Sequence, residues 1–306
     1  MLWHYWARTA DIEFVQQLVP QLHHLLQGLQ EIEVPGLNLM DGTGRSPYID
    51  LSYGDTEGIC CAGNCFQQRA FADGGRLLRL LGDEAGAQQW EGHAEDVAIA
   101  IREAFWDAEQ NAFVDGRHED KATTGPSAPG NVLPLLYGIA APEQVDGAFQ
   151  YVLEAMAQNQ RVPNPQLTTE LNFTSYFAFY GLQVLYNQQK PLAAQHFISE
   201  NWARMLEAGA VTWWEYFIDR WSLCHAWSAS PTHFLSTQVL GVRYATPGVP
   251  DEIIIEPQPG SLQWAQGIYP HPRGPIAVQW RRSGDEIFLD YQVPTEVLVI
   301  QSSKTF

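Results

Sequence analysis

Apolar residues recur with a helical period from about residue 11 to about 240. "WEGHAEDVAIAIREAF" sets Trp90, Ala94, Val97, Ile101 and Phe105 on one stripe. "FQQRAFADGGRLLRLLGD" does the same with Phe66, Ala70, Leu77 and Leu81, and Gly82 is the expected stop. "PLAAQHFISENWARMLEAG" opens on Pro191, turns Ile198, Trp202, Met205 and Leu206 inward, and ends at Gly209. The pattern predicts about nine helices joined mostly by short loops, hence antiparallel hairpins. The longest non-helical stretches are 32–59 and 107–130, and long ordered loops tend to carry function.

After Gly241 the period becomes two. "DEIIIEPQPG", "LQWAQGIYPHPRGPIAVQWRR" and "DEIFLDYQVPTEVLVIQSS" alternate, with Gly and Pro at the turns. The expected organisation is a helical domain over 1–240 and a small antiparallel β-sandwich over 241–306, which should pack on the helices.

Composition narrows the partners. The 306 residues are 45% hydrophobic and 17% charged, which makes the chain globular. Asp and Glu number 35 against 17 Lys and Arg, for a net charge of -18. Such a chain repels nucleic acid and anionic lipid and suits neutral substrates. No apolar run reaches membrane-spanning length, and "MLWHYWARTADIEF" does not read as a secretory leader. Cys60, Cys61 and Cys65 crowd into "CCAGNC", and Cys224 stands apart. Strained adjacency argues against a disulfide framework, and no His has zinc spacing, so the reading is buried free thiols in a reducing, cytoplasmic setting. No metal and no cofactor are expected.

The densest chemistry lies in "TWWEYFIDRWSLCHAWSASPTHF", from Thr212 to Phe234. It holds Trp213, Trp214, Trp221 and Trp227 around Glu215, Asp219 and His225. Indole stacks on the apolar C–H faces of a pyranose, and charged side chains bind its hydroxyls. Apolar surroundings also desolvate a carboxyl, which suits acid–base work. Inverting glycoside hydrolysis uses two carboxyls about 6.5–9.5 Å apart, with a water beside the base. Glu215 is a candidate base and His225 a candidate hydroxyl ligand. The competing reading is core packing by the tryptophans and a local pairing of Glu215. Other acids are Asp50, Asp55 and Glu57 in the first loop and Asp115 and Asp120 in the second, all equally readable as turn residues. Glu170 opens "TTELNFTSYFAFYGLQVL", where it also reads as part of a helix start.

These residues carry a family resemblance. "TWWEYFIDRWSLCHAWSASPTHFLSTQVLGV" is similar to the Trp-Glu, Ser-Leu-Cys-His-(Gly/Ala)-Trp and Pro-Thr run of bacterial α-L-rhamnosidases of glycoside hydrolase family 78, which are six-hairpin glycosidases. "VPDEIIIEPQPGSLQWAQGIYPHPRGPIAVQW" resembles the strands that follow their barrel, "SPYIDLSYGDTEG" their Ile-Asp-Trp loop, and "AFWDAEQNAFVDG" a helix end and loop. The resemblance covers nearly the whole chain. It implies an (α/α)6 barrel, terminal α-L-rhamnoside or related 6-deoxy sugar substrates, inversion, Glu215 as general base and His225 as a rhamnose contact. Trp213, Trp214, Trp227 and Asp50 fall in the substrate neighbourhood without individual roles.

Three departures stand beside it. The family's Glu-Arg-x-x-Trp-x-Gly-Asp segment, which carries the general acid, has no counterpart. "YWARTADIEFVQQLVPQLHHLL" resembles the helix just after that segment, so the barrel is expected to be incomplete. Leu51 follows Asp50 where the family has Trp. The expectations are therefore a divergent or shortened glycosidase, or an active one recruiting Asp55, Glu57 or Glu170 as acid. The alternative from another class is a non-catalytic carbohydrate-binding or assembly module. Helix sides left bare by an incomplete barrel would favour a homo-oligomer.

Overall fold

Asp83 opens the longest helix, Glu84–Phe105, by accepting the Gly86 amide at 2.9 Å. Gly82, with φ of +83°, makes the turn before it. The computed structural model describes residues 1–43, 49–50, 58–118, 121–122, 125–159, 173–217 and 222–300. Two compact units result, Gln16–Leu185 and the pair of segments Met1–Val15 with Tyr186–Phe306.

In Gln16–Leu185, helices Cys61–Leu80 and Glu84–Phe105 form an antiparallel hairpin. Phe71 stacks flat on Trp90 with centroids 5.4 Å apart. Gly75 permits the close approach, since a Cβ there would lie 3.0 Å from the Glu91 backbone nitrogen. The Trp90, Ala94, Val97, Ile101 and Phe105 stripe is buried as its spacing predicts. Burial of each large side chain stabilises the fold by about 1.5–3 kcal/mol. On the partner helix, Phe66 and Ala70 are only half-buried, and Phe71, Leu77 and Leu78 form its inner face. A polar knot joins this hairpin to a residue two positions beyond helix Val19–Glu31: Glu33 Oε1 lies 2.8 Å from both Gln67 Nε2 and His93 Nε2. A second hairpin follows from Ala128–Tyr137, closed by Gly138 at φ +69°, and Pro142–Ala157.

In the other unit, helix Pro191–Glu207 begins at its proline, and Gly209 follows its end at φ +88°. Its inner face is Ala194, Phe197, Asn201, Trp202 and Met205. The expected stripe is thus corrected at two places: Ile198 is half-buried and Leu206 is 58% exposed. Phe197 takes the position in the packing that the spacing offered to its neighbour.

Two three-stranded sheets follow. One orders Trp264–Tyr269, Ile276–Ser283 and Glu286–Gln292 as an antiparallel meander. The other places Val249–Ile255 between Val242–Thr246 and Leu298–Val299. Its last pair is parallel, the one departure from an all-antiparallel pattern among these strands. Val242, Ile253 and Ile255 from one sheet meet Ile276 and Val278 from the other in a shared core. The strands do pack on helical segments of their unit. Trp280 Nε1 donates to the Val239 carbonyl at 2.8 Å, and Gln195 Nε2 donates to the Pro259 carbonyl at 2.9 Å. The first helix, Leu2–Thr9, joins them: the Gly248 amide donates to the Ala7 carbonyl at 2.8 Å. Among the described residues no helix is long and apolar enough to cross a membrane.

Candidate functional site

The run after Gly209 is irregular, with bends at 211–212 and 215–217. Trp214 and Tyr216 turn inward and are buried, while Trp213 and Glu215 remain partly exposed. Phe217 then packs edge-on against Trp202, 4.8 Å between centroids, and Trp202 Nε1 donates to the Ser228 carbonyl at 2.8 Å. This aromatic floor anchors both arms of a hairpin-like pairing. The Glu215 amide donates to the Ser222 carbonyl at 2.9 Å, and the His225 amide donates to the Trp213 carbonyl at 2.7 Å.

Backbone pairing explains how residues distant along the loop meet. Glu215 Oε2 accepts the Ser222 amide at 3.2 Å, which restrains the carboxylate's rotation. The same oxygen lies 3.9 Å from His225 Nδ1, beyond hydrogen-bond length and within strong electrostatic range. His225 Nδ1 is buried and, among the described residues, has no hydrogen-bond partner. The ring rests on Trp227, with centroids 4.1 Å apart and planes tilted by 35°. Beside this group opens a cleft of about 470 Å³ walled by Leu206, Val211, Thr212, Trp213, Cys224 and His225. Such a volume lies in the range of small-ligand sites.

The structure therefore brings together Glu215, His225, Trp213 and Trp227 out of the residues singled out by sequence. Trp214, 6% exposed, belongs to the floor. Asp50 lies in the other compact unit, where it is buried and the Thr174 hydroxyl lies 2.8 and 3.0 Å from its two oxygens. Asp115 is buried as well. Asp55, Glu57, Asp120, Glu170, Asp219 and Trp221 lie outside the described residues. Ser222 and Trp202 were not foreseen in these roles. Ser222 acts through its amide, which every non-proline residue has, and Trp202 shows only as one position in a helical stripe.

Three of the four cysteines are packed thiols, and Cys224 departs from the expected burial. Cys60, Cys61 and Cys65 are buried and free, and Cys224 is exposed. Burial pushes the Cys60 thiol up to about 11 and the Cys61 thiol well above its ordinary value, so both stay protonated. Among the described residues no group of three or more His, Cys, Asp or Glu side chains is arranged to hold a metal ion.

The chain as a whole is similar to known proteins. The family model for the bacterial alpha-L-rhamnosidase 6 hairpin glycosidase domain covers residues 1–239, and that for the bacterial alpha-L-rhamnosidase C-terminal domain covers 241–300. A family 78 rhamnosidase of Bacillus sp. GL1 is 27% identical with a TM-score of 0.83, over 98% of this chain and 32% of its own. The α-L-rhamnosidase from Dictyoglumus thermophilum is 18% identical with a TM-score of 0.76, over 97% and 33%. That of Streptomyces avermitilis, solved with L-rhamnose, is 15% identical with a TM-score of 0.74, over 95% and 27%. The chain thus spans about a third of the length of these rhamnosidases. Comparison with curated proteins finds no match. With its helical hairpins, its following β region and models that match almost its whole length, the chain belongs to the bacterial α-L-rhamnosidase family of six-hairpin glycosidases.

Proposed function

We propose that this chain acts in the hydrolysis of terminal α-L-rhamnosides or a related 6-deoxy sugar, with inversion and with Glu215 as general base. The observation that carries the reading is the Glu215 carboxylate, restrained by the Ser222 amide and 3.9 Å from His225, which itself lines an open cleft. A base needs an oriented carboxylate with room for a water and a sugar next to it. His225, supported by Trp227, is placed to meet a hydroxyl, and Trp213 offers an indole on the cleft wall. The alternative of a purely binding or assembly module explains these contacts less well, because stacking alone has no use for a tethered carboxylate.

The same proposal extends to the setting. It takes the domain boundary at residue 240, a carbohydrate as the partner, no nucleic acid, and a homo-oligomer formed through exposed helical side chains such as Leu25 and Leu192. Free buried thiols suit a reducing, cytoplasmic compartment.

Glu215→Gln keeps the shape and removes the basicity. Assayed on a nitrophenyl α-L-rhamnoside, it should lower turnover by roughly 10²–10⁴ while leaving sugar binding nearly unchanged. Full activity in that variant would remove Glu215 from the base role.

A further inference from the structure

In the meander, strands Trp264–Tyr269 and Ile276–Ser283 have one face on the core and one on solvent, while Glu286–Gln292 is exposed along its length. Strand register decides which side chains share the solvent face. Trp264 is opposite Arg281, and Arg281 is opposite Phe288, so these three form one row across the sheet. Gln266, Gln279 and Asp290 form the next row. Their neighbours along the middle strand, Val278 and Trp280, point the other way and are buried. Trp264 is 65% exposed and Phe288 is 47% exposed.

The polar groups on this face are held in place. The Arg281 guanidinium lies 4.9 Å from the centroid of the Phe288 ring, and Gln279 Nε2 donates to Asp290 Oδ2 at 2.9 Å. An exposed indole therefore stands about 7 Å, one two-residue repeat, from a row of amides and a carboxylate. That spacing is the reach from the C–H face of a pyranose to the hydroxyls on its edge and on the next sugar.

We propose that this outer face is a second saccharide-binding surface, on which a neutral oligosaccharide stacks on Trp264 and hydrogen-bonds the row of Gln266, Gln279 and Asp290. Charge selects the ligand. The chain carries a net charge of -18, while Arg281 and Asp290 balance each other within these two rows. A polyanion is repelled by the chain as a whole, and the offset charges of these two rows give a cationic partner no net charge to hold. A protein interface core is depleted in charge and more apolar than the surrounding surface, whereas here an amide and carboxylate row separates the aromatic row from exposed Ile268. A neutral polyhydroxylated chain matches that alternation of stacking and hydrogen-bonding rows. The choice of sugar as the ligand class rests on the rhamnoside reading above, but hydrolysis does not enter it.

The test is native affinity electrophoresis of the full chain carrying Glu215→Gln, which leaves the polymer intact, in gels containing a neutral L-rhamnan or dextran. Retardation in either gel is expected to fall roughly tenfold in apparent affinity when Trp264→Ala is added, as for loss of one stacking contact. Trp264→Phe should keep most of it, and His225→Ala in place of Trp264→Ala should leave the Trp264-dependent part intact. Such a result supports the surface even if the unmodified chain hydrolyses no aryl rhamnoside. Equal mobility with and without Trp264→Ala overturns it, as does absence of retardation in both gels. Sedimentation adds one more overturning outcome: a dimer that Trp264→Ala dissociates would mean that a second copy covers this face.

Discussion

Glu215 Oε2 stands 3.9 Å from His225 Nδ1, and the imidazole leans on Trp227. The two polar groups meet because the backbone pairs Glu215 with Ser222 and Trp213 with His225, and of the two His225 lines the cleft. Removing either the imidazole or its indole support should weaken sugar binding. We expect His225→Ala and Trp227→Ala each to lower affinity for L-rhamnose by roughly 1–3 kcal/mol. Titration of tryptophan fluorescence measures this. Unchanged affinity in both variants would move the sugar site elsewhere.

The Asp50 carboxylate is buried with the Thr174 hydroxyl against it, and that hydroxyl also accepts the Phe177 amide at 3.0 Å. Thr174→Val is close in volume but removes a donor to a buried charge and an acceptor for an amide. It should destabilise the fold by about 1–3 kcal/mol in urea unfolding, and Thr174→Ser should recover much of the loss. A valine variant as stable as the parent would show that other contacts satisfy Asp50.

Gly248 sits at φ +75° in the turn against Trp6, and a Cβ there would run into the indole. Gly248→Ala meets both a left-handed backbone and this ring. The expected outcome is a loss of about 1–3 kcal/mol and earlier proteolytic release of helix Leu2–Thr9. Limited proteolysis followed by mass analysis reads the second effect directly.

His233 gives a pH signature. Burial first, and then the charge of Arg8, hold its imidazole down to about 4. In the unfolded chain the group titrates near about 6.5. Above that pH both states are neutral, and the histidine's contribution is complete. As the pH falls from about 6.5 toward about 4, the unfolded chain takes up a proton that the folded chain refuses, so stability is lost by up to about 3 kcal/mol. Urea unfolding at pH 7 and pH 5 should show the fall, and His233→Gln should flatten part of it. An identical pH slope in the variant would show that His233 is not held neutral.

Regular elements were the legible part of the fold. The stripe from Trp90 to Phe105 and the stops at Gly82 and Gly209 express helical period and backbone conformation, which are local properties. The inward face of Pro191–Glu207 was less legible, because Phe197 and Ile198 are adjacent and both apolar, and tertiary packing chose between them. The parallel pairing of Leu298–Val299 lies beyond reach for another reason: two residues carry no alternation from which a direction can be read. At the candidate site, Glu215 and His225 were visible as residue types in an indole-rich run. The burial of Trp214 and the roles of Ser222 and Trp202 depend on which backbone groups pair across the loop.

Met1–Val15 shares a compact unit with Tyr186–Phe306, and Gln16–Leu185 forms another. During synthesis this separates the order of emergence from the order of completion. Leu2–Thr9 is translated well before the Gly248 turn, whose amide donates to the Ala7 carbonyl. Gln16–Leu185 is by then fully translated and has its hairpins available for folding as a unit. Trp3 and Tyr5 have ring partners nearby in sequence, Trp6 and Phe14, but the Trp6 indole meets the Gly248 turn only once that later segment is made. That interval leaves one face of the Trp6 indole exposed on the nascent chain after its own helix has been made.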